Sequence, residues 1–206
     1  MDKHYVVTKP AFKAHYAIAS EDGQDDYFVN IKTKIKPSQP RLTFHAGSDK
    51  EAPIAAVLHF QASKVNMKIG VGDPTDMSAV EWEDLSCMNK LTHAKYNWSA
   101  NIPSSQEASG SSPTSGGAQK FDRKTFTWTR TRSQSIDGTK PTARTNRHWK
   151  LSEEGSEELL AVFTGQAKIG QCGTLAVRSD LGDKFRLMAL VTLVGLYERV
   201  RTSGGG

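Results

Sequence analysis

Between Leu187 and Tyr197 the chain reads LMALVTLVGLY, eleven residues without a charge. The stretch is apolar almost all round, so it lacks the polar face of an ordinary surface helix. It is bracketed by Arg186 and Glu198. A bilayer span needs about 20 apolar residues, and a run of roughly 10–14 belongs to a helix buried in protein. Asp180 and Asp183 flank Gly182 just ahead of the run, where a carboxylate can accept from free backbone amides at a helix N-terminus. Arg199 and Arg201 follow it and suit the negative pole of the dipole. These signals place a helix from Asp183 to Thr202. Gly195 lies inside it at a cost of about 1 kcal/mol relative to alanine, which close packing against a facing strand would offset.

What precedes the helix reads as strands. Runs rich in β-branched and aromatic residues fall at Lys13–Ser20, Tyr27–Lys36, Arg41–Ala46, Ile54–Gln61, Val65–Val71, Ala79–Leu85, Lys95–Trp98, Thr125–Arg132, Asn146–Leu151, Glu158–Thr164 and Thr174–Arg178. Gly, Pro, Asn and Asp clusters separate them. From Lys124 to Arg132 every odd position is threonine, and the even positions are Lys124, Phe126, Trp128, Arg130 and Arg132. Strand side chains alternate between faces, so Phe126 and Trp128 point together toward a core and the arginines emerge beyond it. Short strands around an all-round apolar helix predict a mainly β fold: a closed or nearly closed antiparallel barrel enclosing a C-terminal helix.

The 206 residues suit one domain, spanning 1–202, with 203–206 as a flexible tail. Ile102–Gln119, rich in Ser, Gly and Pro, is expected to be a disordered insertion within that domain. Ser133–Thr145 reads as a second polar loop. The N-terminus shows no apolar secretory signal, so the expected location is intracellular, cytoplasmic or peripheral to a membrane. Cys87 and Cys172 form no CxxC and read as free thiols. The Asn97-Trp98-Ser99 triplet is then a chance glycosylation match.

The order of the last third has a familiar texture: Trp149-Lys150-Leu151, Leu159–Thr164, Gly173–Arg178, Asp180–Asp183 and the apolar helix. It resembles the end of the tubby C-terminal-like superfamily, which includes tubby-like domains, LURP-one-related proteins and phospholipid scramblases. The resemblance implies a twelve-stranded antiparallel barrel around a C-terminal helix. It also implies, from tubby-like domains, binding of phosphoinositide headgroups by surface Lys and Arg, although no residue of their basic motif aligns here. Scramblase-like members have a longer apolar segment, palmitoylated cysteines and an acidic calcium-binding segment. This chain has a short run and no cysteine cluster, so scrambling is not expected.

Charge is unevenly spread. Lys120, Arg123, Lys124, Arg130, Arg132, Lys140, Arg144, Arg147 and Lys150 face only Asp122 and Asp137, which leaves +7. The whole chain is +5, so the remainder sums to −2. Arg123, Lys124, Arg130, Arg132, Arg144 and Arg147 are therefore the candidate anion- or lipid-binding residues. The competing reading is a solvated hairpin that protects a strand edge. Nucleic acid is not an expected partner, since zinc spacing, RNP aromatics and a helix-turn-helix signature are all missing.

Catalytic signals are poor. The six histidines form no HExxH, and neither a GxSxG elbow nor a P-loop occurs. Gly70–Asp76 reads as a turn. Asp73, Asp76, Glu81, Glu83 and Asp84 make an acidic patch, either a calcium site or an exposed strand edge. No metal and no cofactor is called for. The expected role is a non-enzymatic binding or scaffold module associating peripherally with anionic, phosphoinositide-bearing membrane. The alternative is a protein-interaction module with a regulatory loop and no lipid ligand.

Overall fold

The computed structural model describes residues 2–33, 39–61, 65–76, 78–103, 121–131, 148–166, 169–178 and 180–202. Twelve strands are followed by one helix: β1 Asp2–Thr8, β2 His15–Ser20, β3 Tyr27–Ile31, β4 Leu42–Ala46, β5 Ile54–Phe60, β6 Met67–Val71, β7 Glu81–Cys87, β8 Lys95–Pro103, β9 Phe121–Thr131, β10 His148–Glu153, β11 Leu159–Gly165, β12 Gln171–Arg178 and α1 Gly182–Thr202. Each strand pairs antiparallel with the next, and β1 pairs with β12, so the sheet closes into a barrel. Closure covers the edges that an open sheet would expose, apart from the stretch where β7 and β8 part.

Alternation builds the wall. In β8, Tyr96, Trp98, Ala100 and Ile102 point inward, and in β9 Phe126 and Trp128 do so. The apolar helix fills the space they enclose. Phe185 packs between Trp98 and Phe126, with ring centroids 5.8 and 5.0 Å away. Trp128 Nε1 donates to Thr192 Oγ1 at 2.8 Å, and the threonine hydroxyl lies 2.7 Å from the Met188 carbonyl. The threonine hydroxyl inside the apolar run is thereby satisfied on the axis. At Gly195 a Cβ would sit 2.5 Å from Leu58 Cδ1, so the helix meets β5 and β6 there at a distance only glycine permits.

The structure differs from the expected strands chiefly at β1, β8 and β3, and β9 and β12 begin at Phe121 and Gln171, a few residues before the expected Thr125 and Thr174. β1 is additional: Tyr5 and Val7 bury inward, but the β-forming stretch Tyr5–Thr8 is only four residues long and follows the polar Asp2–His4. Its strand character comes from the ladder to β12, where Tyr5 faces Leu175. β8 continues to Pro103, because Ile102 keeps the inward alternation and pairs across from Asp122; the rest of the expected 102–119 insertion lies outside the described residues. β3 ends at Ile31, earlier than expected.

Antiparallel closure gives the barrel two chemically distinct ends. The helix starts where β12 finishes and runs back through the sheet. The turns after even-numbered strands share the helix start, here the entry end. The turns after odd-numbered strands share the helix finish, the exit end.

Candidate functional site

The sequence-predicted cluster does not stay together. Arg123 lies near the entry end on the outer face and forks onto Glu83, with both N–O distances 2.6 Å. Lys124 is also near that end, and its Nζ donates to Glu153 Oε2 at 3.1 Å. Arg130 is at the exit end, roughly 23 Å along the strand from Arg123 at ~3.3 Å per residue. Arg132, Arg144 and Arg147 lie outside the described residues, as do Lys120 and Lys140.

Arg130 differs in kind from the other two. Its guanidinium is half-buried and stacks over the Trp149 ring at 5.2 Å. Its Nε is buried without a hydrogen-bond partner, and among the described residues no carboxylate bonds to it. Trp149 meets Tyr96 edge-on at 6.2 Å, and Arg199 stacks over Tyr96 at 5.5 Å. The Tyr96 hydroxyl is also buried without a partner. Burial, and then the charge of Arg199, pull the Arg130 guanidinium below its usual value. Burial pushes the Tyr96 phenol up, with Arg199 opposing it. The exit mouth thus holds two like-charged guanidiniums on aromatic faces, a setting that an anion would stabilise.

Beside them sits an ion cluster that is already complete. Glu198 is 0% exposed. Arg41 donates to its Oε1 from Nη2 at 2.5 Å and from Nε at 3.1 Å. Arg201 donates to both carboxylate oxygens at 2.8 Å, and the Tyr16 hydroxyl donates to Oε2 at 2.7 Å. Burial alone pushes this carboxyl up, but hydrogen bonds from Arg201, Tyr16 and Arg41 outweigh it and hold the group below the usual carboxylate range. The cluster ties the helix to the wall and leaves its net charge positive.

Cys87, cross-strand from Tyr96, completes this side of the mouth. Its half-buried Sγ is 3.6 Å from His93 Nδ1 and 3.2 Å from the Asn89 carbonyl. Burial, with Arg199 and Arg130, lowers the His93 pKa.

The turns carry the largest signal. Among the described residues, those after β2, β4, β6, β10 and β12 hold Glu21, Asp22, Asp25, Asp26, Asp49, Glu51, Asp73, Asp76, Glu154, Glu157, Glu158 and Asp180, with Lys50 the one cation. Those after β1, β3, β5, β7 and β11 hold Lys9, Lys13, Lys32, Arg41 and Lys90, and among the described residues there no acid. Among the described residues, the turns are negative at the entry end and positive at the exit end. Exposed apolar side chains follow the same division: Phe12, Met88, Leu91 and Ile169 are at the exit end and Phe121 at the other. Reading the longest basic run missed these residues, since they are scattered by ones and twos over separate turns. The parity of successive turns would have found them, because turns alternate ends in an antiparallel barrel.

The acidic patch near β7 is spent on the protein itself. Glu83 holds Arg123 and Glu81 holds Lys184, while Asp73 and Asp76 accept from the Thr75 and Ser78 amides. Among the described residues, no three His, Cys, Asp or Glu side chains gather as metal ligands. Only two residue pairs, Ser86–Asn97 and Cys87–Tyr96, join β7 to β8. The wall therefore opens above them into a cleft of about 410 Å³ beside the Arg123–Glu83 pair. Trp98, whose buried Nε1 lacks a partner, lines it. Among the described residues, no helix is long and apolar enough to cross a membrane. Comparison of the chain with protein-family models, with curated proteins and with solved structures found no match.

Proposed function

We propose that this chain is a non-enzymatic binding module that associates peripherally with anionic membrane lipid, phosphoinositides included, through the exit end of the barrel. The observation that supports this most is the separation of charge along the barrel axis. A positive end approaches an anionic surface while the negative end turns away, so the same field gives attraction and orientation. Arg130 is the centre of the reading: its half-buried guanidinium is stacked on Trp149, and among the described residues no carboxylate bonds to it. Arg123 and Lys124, paired with Glu83 and Glu153 near the far end, take no part. Arg132, Arg144 and Arg147 enter the proposal on their sequence alone. The resemblance to tubby-like domains agrees in ligand class.

Co-sedimentation with vesicles tests it. Binding is expected to vesicles carrying phosphatidylserine and phosphoinositide, to be lost as salt rises, and to be missing with neutral phosphatidylcholine. Charge reversal at Arg130 removes about 2 kcal/mol at roughly 1 kcal/mol per charge, near a thirtyfold loss. Arg123→Glu leaves binding unchanged. Equal binding to neutral and anionic vesicles, or none to either, rejects the proposal.

A further inference from the structure

Resting on that anionic-lipid reading, we infer that Phe12, Leu91 and Ile169 are anchors that enter the bilayer interface, so the barrel stands upright with its exit mouth against the membrane. The three residues are 106%, 95% and 90% exposed, the most exposed large apolar residues among those described. Phe12 and Leu91 are held by hydrogen-bonded turns. Phe12 has φ of 62°, a left-handed conformation that a bulky side chain rarely adopts and that glycine or asparagine would ordinarily supply. The turn around it is pinned: the Lys13 amide donates to the Pro10 carbonyl at 3.2 Å, and Lys9 Nζ donates to the Lys13 carbonyl at 2.8 Å. Leu91 sits on a turn closed by Asn89, whose Oδ1 accepts from the Leu91 and Thr92 amides at 3.1 and 3.0 Å. The Lys9 amide donates to the Gly170 carbonyl at 2.9 Å, which sets the Ile169 turn beside that of Phe12.

The order of strands fixes where these turns stand on the rim. Phe12 and Ile169 belong to the β1 and β12 side, and Leu91 to the turn between β7 and β8, half the circumference away. A plane resting on both sides therefore lies across the mouth, over Arg130. Lys9, Lys13 and Lys90 flank the apolar tips. Apolar tips ringed by lysine match an anionic interface, whose headgroups take the ammonium groups while its acyl boundary takes the side chains. A soluble polyphosphate would satisfy the charges but leave the apolar tips in water, so the occupant is a bilayer.

The test uses the full chain and vesicles of phosphatidylcholine with phosphatidylserine and phosphoinositide, with and without brominated acyl chains. Tryptophan replaces Phe12, Leu91 or Ile169 one at a time, with Phe121→Trp as the entry-end control. All three exit-end reporters are expected to shift to the blue and be quenched by bromine, and the control to stay unchanged. Phe12→Ser and Leu91→Ser should each weaken binding roughly tenfold, chiefly the salt-resistant part, with unfolding midpoints unchanged. Salt-sensitive binding without quenching overturns the anchors and leaves the lipid reading standing. Quenching on only one side of the rim overturns the upright posture. Failure to bind any vesicle sinks the lipid reading and the anchors with it.

Discussion

Replacing Glu198 with glutamine should be the most damaging single-atom change in the protein. The carboxylate is 0% exposed, and the Arg41 side chain facing it only 10%. Five hydrogen bonds, from Arg41, Arg201 and Tyr16, end on its two oxygens. The amide keeps the shape but removes the charge and turns a donor toward guanidinium. Arg41 is then a buried cation without its counter-ion, which costs about 3–5 kcal/mol. Arg201 is 38% exposed and can turn to water, so its share is about 1 kcal/mol or less. The sum, about 3–6 kcal/mol, corresponds to a fall of about 6–24 °C in Tm for a chain of this size. Circular dichroism with heat and urea measures it. Removing both charges, as Arg41→Met with Glu198→Leu, should recover most of the loss. The pH dependence is a second check. A carboxyl whose folded pKa is depressed contributes stability above its unfolded value, about 4.3, and loses it as pH falls through the folded value. The gap between wild type and Glu198→Gln should therefore be constant at neutral pH and shrink below about pH 4. A loss under 1 kcal/mol at pH 7, or a gap that widens in acid, would refute the reasoning.

Thr192→Val should leave the Trp128 indole N–H buried without an acceptor and cost about 1–3 kcal/mol by urea denaturation; a neutral result would mean that the indole has found another partner. Gly195→Ala gains about 1 kcal/mol of helix propensity but drives a methyl against Leu58 in a packed core, at about 1–3 kcal/mol. The net effect should be destabilising, and Leu58→Ala in the same chain should relieve the clash. Cys87 should be alkylated in the native protein well before Cys172, which is 3% exposed on β12. Peptide mapping after brief iodoacetamide treatment reads the order, and equal rates would place Cys172 at the surface.

Features written in local pattern were legible, and features written in closure were not. Leu187–Tyr197 announces a buried helix because eleven neighbours agree. Phe126 and Trp128 announce an inward face because alternation needs only one strand. β1 escaped because two inward residues, Tyr5 and Val7, form a strand only when β12 supplies the ladder. The candidate site divides the same way. Arg130 was visible in a basic run, but that run crosses the whole barrel, so Arg123 and Lys124 ended at the opposite pole beside carboxylates. Phe12, Lys90 and Leu91 carried no signal alone. They share a rim because successive turns alternate ends, a fact that appears once the strands are counted in pairs.

The β1–β12 seam also sets a timetable for the newborn polypeptide. The barrel's first strand is joined to its twelfth, and the plug that the wall wraps is made after both. Until that plug emerges, the greasy inner sides of eleven or more strands have nothing to close upon. Such long-range pairing is slow and leaves nascent intermediates prone to aggregate. A premature stop before Gly182 would thus yield a hollow, sticky fragment instead of a smaller working protein.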